Sequence, residues 1–232
     1  MEFLISCFET PELLDEEKFK GVKFEFPQSY LFAKQVDAVP LGLSEIVACT
    51  MYYPVFFAQH QGEVVPFAVL GINKQNVFVR EDGGWKTEII PSLIRIYPFG
   101  FVKEGEDYLV IIDKKWISED GVELFTELGE ETKFFKEKRH ELTRVAKDLN
   151  DALEFGKKIM ELGLLTNIDL QADTALGNLR IKNLLSIDIA RFKSLSPEKL
   201  WYLNTSGQLL TLLSHYLSLR NFKLLELWAQ RP

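Results

Sequence analysis

A chain of 232 residues, 47% hydrophobic and 26% charged, holds enough apolar material for one sizeable domain or two small ones. Its net charge of −7 is uneven: residues 1–128 carry 11 Lys and Arg against 21 Asp and Glu, the remainder 16 against 13. The acidic half argues against nonspecific nucleic-acid binding, Met1–Glu9 lacks the basic start and apolar run of a signal peptide, and no stretch reaches the ~18–20 apolar residues that span a bilayer.

Thr10-Pro11-Glu12 has the order of an N-cap, a first-turn proline and an early acid, which predicts a short helix to about Phe19, closed by Gly21. Val22, Phe24 and Phe26 alternate with polar residues as in a half-buried strand, and Tyr30 to Val36 reads as another. Ser44-Glu45 opens a short helix from Ile46 to about Tyr52, which Pro54 ends. A strand-rich block follows: Val55–Ala58, Val64–Ile72, Asn76–Arg80 and Trp85–Ile90, with turn chemistry at Gln61-Gly62, Asn73-Lys74 and Asp82-Gly83. Pro91–Phe99 is a short helical or irregular piece, too apolar for an ordinary loop. Tyr108–Asp113 is a buried strand that Lys114–Ile117 extends, and Val122–Phe125 adds a short edge.

After Gly129 the apolar period changes from two to about 3.6, with Leu142, Val145, Leu149, Ala152 or Leu153, Gly156 and Ile159 or Met160 recurring at three- and four-residue steps. This predicts an amphipathic helix from Glu131 to Leu162 with a break, ended by Gly163. Leu164–Leu170 and Leu179–Phe192 read as extended, with a turn at Lys182-Asn183. Ser196 to Leu203, Gln208–Leu219 and Asn221–Ala229 complete the chain as helices. The expected fold is α+β, a single compact domain over 1–232. Its first part (1–128) is β-rich with mainly antiparallel strands, and its second (129–232) is helix-rich.

Little in the chain has the spacing of a reactive centre. Cys7 and Cys49 form no metal motif, and reduced thiols in the cytoplasm are the expectation. Glu137-Lys138-Arg139-His140 has the Glu-x-x-His spacing of a carboxylate-bridged metal site. The motif occurs once where such sites need two, so a solvated face paired with Arg144 is expected. His60 reads as a surface residue and His215 as a core histidine with one hydrogen bond. No nucleophile elbow and no phosphate loop is present. No cofactor and no metal is expected. Asp113 could end its strand at a cleft near Glu88 or Asp120.

Arg95 lies among Leu93, Ile94, Ile96 and Tyr97. An arginine there is either a buried clamp tying neighbouring segments together or a receptor for an anion, since an unpaired buried charge is costly and guanidinium offers a bidentate fork. Trp85 reads as a core anchor or, if exposed, a sugar platform.

Several runs occur in an order that resembles the bacterial SapC family, which is associated with the surface layer. They are Val39-Pro40-Leu41 with Ser44-Glu45, Tyr53-Pro54-Val55-Phe56-Phe57, Leu70-Gly71-Ile72 with Gln75–Val79, Asp82-Gly83-x-Trp85, Pro91…Arg95-x-Tyr97-Pro98-Phe99, and His215–Leu219. The resemblance covers most of the chain after about Val36. It departs where the family often has a second arginine, at Ile96, and an aromatic, at Leu93. It implies a link to surface-layer export or assembly and carries no reaction, cofactor or catalytic residue. The expected protein is thus a non-catalytic accessory or binding protein with a partner in the surface-layer or secretion machinery. A small-ligand receptor or enzyme with a pocket beside Arg95, and a structural surface-layer subunit, are the alternatives. The candidate ligand- or partner-binding residues are Trp85, Arg95, Tyr97 and Asp113.

Overall fold

Antiparallel pairing organises most of the extended backbone in the computed structural model, which describes residues 1–60, 62–174 and 177–229. In chain order the elements are β1 (Glu2–Phe3), β2 (Pro11–Leu13), β3 (Lys23–Phe24), β4 (Ala38–Pro40), α1 (Ile46–Cys49), β5 (Val55–His60), β6 (Glu63–Val69), β7 (Gly71–Ile72), β8 (Gln75–Asn76) and α2 (Ser92–Arg95). Then come β9 (Phe99–Glu104), β10 (Asp107–Asp113), β11 (Val122–Glu123), α3 (Lys133–Glu161), β12 (Leu165–Thr174), β13 (Gly177–Ile187), α4 (Ile189–Lys193), α5 (Pro197–Thr205), α6 (Gln208–Ser218) and α7 (Phe222–Ala229). Short 3-10 helices occupy Tyr30–Gln35, Lys114–Trp116 and Leu219–Asn221.

One sheet has the order β1-β9-β10-β2 and a second β12-β13-β5-β6-β4; two small pairs, β11 with β3 and β7 with β8, complete the set. The strands lie mostly in the first part and the main helices in the second, so the fold is a single compact α+β unit. What joins its parts is α3. Thr132 caps it by accepting from the Phe135 amide at 3.3 Å, and the helix then runs unbroken for 29 residues. Near its start Phe135 packs on Phe99 and Phe125. Near its end Phe155 meets Phe57 of β5, and Gly156 lets the helix approach β6 so closely that a Cβ would sit 2.1 Å from the Val64 carbonyl oxygen. Gly163 at φ 67° stops it, with Leu164 N–H bonding back to the Ile159 carbonyl.

Several sequence expectations need correction. Thr10–Phe19 does not form the predicted helix. Thr10 spends its amide and hydroxyl on Asp113 at 2.9 Å each, and Pro11–Leu13 pairs with β10 as β2. The predicted strand at Tyr30 to Val36 is a 3-10 helix over Tyr30–Gln35; Ala33 and Val36, both fully buried, are three apart and would face opposite sides of a strand. Asn76–Arg80 and Trp85–Ile90 are largely irregular, with one bridge between Val79 and Trp85. There the Asn76 side chain accepts from the Phe78 amide at 2.9 Å and draws the chain out of a ladder. The sequence reading passes over β9, whose glycine and flanking charges obscure its alternation. Lys114–Trp116 coils into a 3-10 helix instead of extending β10, since the Asp113 carboxylate accepts from the Lys115 amide. Lys182 and Asn183 lie within β13 and make no turn, while α3 has no break.

Candidate functional site

The Pro91–Phe99 run folds as one turn of helix followed by entry into β9. Leu93 and Ile94 of α2 point inward, which leaves Arg95 on the other side of a single turn, with 45% of its side chain exposed. One guanidinium nitrogen donates to Ser92 Oγ at 3.2 Å, and the other lies 3.6 Å from Glu141 Oε1 on α3. Lys138 Nζ also reaches Glu141, at 2.8 Å, so two cations share one carboxylate. Arg95 is therefore held at its base but not buried.

In front of it opens a cleft of 460 Å³. Arg95 and Lys138 supply its cations, Glu25 and Asp120 its carboxylates, and Phe26, Tyr97 and Phe134 an aromatic surface. Phe26 lies against Phe134 at 5.1 Å between ring centroids. Of the four residues singled out from sequence, Arg95 and Tyr97 meet here. Trp85 and Asp113 do not line the cleft.

Asp113 is fully buried at the end of β10 and is saturated. It accepts from the amides of Glu9 and Thr10 at 3.0 and 2.9 Å, from the Thr10 hydroxyl at 2.9 Å and from the Tyr97 hydroxyl at 2.8 Å. Burial alone would raise its pKa, but these donors outweigh it and hold the carboxyl below its ordinary value. Tyr97 in turn accepts from Trp116 Nε1 at 3.0 Å and stacks on Phe32 at 4.4 Å. Asp113 thus fixes the tyrosine ring that forms part of the cleft wall. It is not paired with Asp120, which lies in the cleft.

Trp85 is half-buried on a different side of the aromatic core. Its Nε1 donates to the Tyr53 hydroxyl at 2.9 Å, and its ring packs on Phe78 and Tyr30. Tyr53 also bonds Thr87 at 2.8 Å and the Ile89 carbonyl. This network pins the irregular 77–90 segment where a strand ladder is missing.

Sequence reasoning missed Glu45 as a link between two motifs. Its carboxylate accepts from the Gly42 amide at 2.9 Å and from both the amide and the hydroxyl of Ser92 at 2.8 Å. It therefore bonds the first turn of the helix that carries Arg95. Burial pushes its pKa up, against these hydrogen bonds, which lower it. Next to it, Ser44 donates its amide and hydroxyl to Asp148 of α3, both at 2.8 Å. Lys138 and Phe134 were also missed as cleft residues, although the charged Glu137–His140 face had marked that part of α3. That face pairs Glu137 with Lys133 and Arg139 with Glu131, in place of the Arg144 pairing expected.

His215 is completely buried, with three partners where one was expected. Its Nδ1 donates to the Val55 carbonyl at 2.7 Å, and Nε2 accepts from Ser186 Oγ at 3.1 Å and the Ile187 amide at 3.4 Å. The Ser186–His215 pair has the atoms of a nucleophile and base, but it is sealed in the core, and the third group is a backbone carbonyl. It ties α6 to β5 and β13. Among the described residues no cluster of three or more His, Cys, Asp or Glu could hold a metal ion.

The motifs that hold this cleft, from Ser44-Glu45 through Ser92–Tyr97 to Asp113, lie within the residues matched by a family model, SapC, which spans 14–225. The chain belongs to the SapC family. No curated protein and no solved structure matches it. The SapC match takes in both sheets' main strands, all of α3 through α6 and the residues that line the cleft, while Glu9 and Thr10, which hold Asp113, lie before it.

Proposed function

We propose that this SapC-family chain is a non-catalytic accessory protein of the cytoplasm, acting in surface-layer export or assembly, and that it recognises a carboxylate-bearing segment of a partner through the cleft beside Arg95. The observation that carries this reading is the guanidinium itself: nearly half exposed, anchored at its base by Ser92 and Glu141, and facing a cleft with an aromatic surface. A planar fork so placed can still offer donors to a carboxylate. The reading as a binding protein also draws on how the acid-base groups are used. Asp113 and His215 are both committed to structural hydrogen bonds.

A second reading, a receptor for a small molecule, draws on the volume, since 460 Å³ falls within the range of small-ligand pockets. One experiment addresses both. In a host that makes a surface layer, Arg95→Glu should lower the amount of layer protein exported several-fold, while the variant keeps its cellular level and melting temperature. Normal export with a stable variant overturns the proposal. Normal export together with loss of a bound metabolite from the purified variant favours the receptor.

A further inference from the structure

We propose that the C-terminal helices seat this protein on the surface of an anionic lipid bilayer, a contact separate from the Arg95 cleft. The starting point is α6, whose polarity is inverted. The side turned to the core buries Thr211, His215 and Ser218 along with Leu212. These polar groups are needed there, since His215 and Ser218 bond the backbone of Val55 at both its carbonyl and its amide. The leucines are displaced outward. At 100° per residue, Leu210, Leu213 and Leu217 fall on one stripe opposite the buried side, with Tyr216 beside them. Leu210 is 60% exposed and Leu217 59%. The preceding helix, α5, exposes Trp201 at 69% and Tyr202 at 40%. A helix that turns its leucines to solvent and its histidine to the core has its apolar face made for another medium.

Charge selects the medium. Residues 188–229 carry five Lys and Arg against three acids, one of which, Asp188, pairs with Arg191, in a chain whose net charge is −7. The basic residues recur at helical spacing from the exposed apolar ones: Lys199 is three before Tyr202, Arg220 four after Tyr216, and Lys223 four before Leu227. Lys158 at the end of α3, which also pairs with Glu161 at 3.5 Å, lies 5.2 Å from the centre of the Tyr202 ring. Leucines with Trp and Tyr, flanked by Lys and Arg, form the composition of a surface that lies in the headgroup region, the apolar side chains entering the acyl boundary and the cations pairing with lipid phosphates. No helix among the described residues is long and apolar enough to cross a membrane, so the contact is peripheral.

The test is co-sedimentation of the full chain with vesicles of phosphatidylcholine alone and of phosphatidylcholine with phosphatidylglycerol. Binding is expected only to the second kind, weakening at least about tenfold between low and high salt. The pair Leu210→Ser and Leu217→Ser should reduce it about tenfold or more at unchanged melting temperature, and Arg220→Glu with Lys223→Glu should do so independently. Absence of binding to the anionic vesicles overturns the proposal. So does binding that survives both pairs of substitutions. A dimer seen by analytical ultracentrifugation, dissociated by the leucine pair and indifferent to vesicles, overturns it in favour of self-association.

Discussion

Asp113 shows how a single carboxylate can be removed from chemistry by its neighbours. Four of its donors come from Glu9, Thr10 and Tyr97, so one buried acid joins the N-terminal segment, β10 and the cleft tyrosine. Asp113→Ala would orphan buried amides and a phenol, and about 3 kcal/mol of stability should be lost in denaturant titration. Because its folded pKa is lowered, the stability it contributes is present above the unfolded value of ~3.9 and is lost as pH falls through the folded value. His215 acts in the same direction at higher pH. Burial pushes its pKa down from 6.5 to about 4, against the hydrogen bond to Val55. Between those values the unfolded chain takes up a proton that the folded chain refuses, so stability should rise with pH across this window by up to about 3 kcal/mol. His215→Asn keeps a donor for Val55 and should flatten that slope when unfolding is measured from pH 4 to 7. Arg95 is the contrasting case. Its ion pair with Glu141 is half-exposed and 3.6 Å long, so Arg95→Leu should change stability by less than about 1 kcal/mol. A larger loss in the same titration would restore the clamp reading that the sequence left open.

At the scale of elements, α3 was legible because apolar residues recurring at period 3.6 from Leu142 to Ile159 leave little room for another reading. The strands β5, β6 and β10 were legible for a similar reason, being continuous runs of Val, Ile and Phe. What escaped were segments whose conformation is decided by distant partners. Thr10 looks like a helix cap until Asp113, more than a hundred residues away, claims it. Ser44-Glu45 looks like a local cap, yet both side chains act at long range, on Asp148 and Ser92. The cleft was half legible: Arg95 and Tyr97 stand in an unusual run, whereas Lys138 and Phe134 join them only because α3 passes alongside. The approach of α3 to β6 supplies a direct test. Gly156→Ala gains helix propensity of ~1 kcal/mol, but the new methyl meets the Val64 carbonyl, which is backbone and cannot yield. A net loss of about 3 kcal/mol is expected by thermal or denaturant unfolding.

Over the whole molecule, the β-rich first part and the helix-rich second part are not separable bodies. β13 pairs with β5 through Leu184 and Leu185, and the buried core runs without interruption from Phe3 to Leu225. Unfolding should therefore be one cooperative transition, with coincident curves from far-UV and near-UV circular dichroism. A chain cut after Leu128 should fail to fold, since it lacks Leu149, Phe155 and Ile159 from its core. The charge asymmetry follows the same division: the acidic part holds most of the strands and most of the cleft lining, to which the basic part adds Phe134 and Lys138, and the basic part carries the outward leucines.

The hydrogen bond from Trp116 to the Tyr97 hydroxyl has a practical consequence. Tyr97 lines the cleft, and its hydroxyl is fixed between an indole and a carboxylate. An occupant that presses on this ring will alter the polarity felt by Trp116, and with it the wavelength of the indole emission. The protein carries its own fluorophore beside the cleft, so occupancy can be followed without a label. Trp116→Phe supplies the blank against which the other three tryptophans are subtracted.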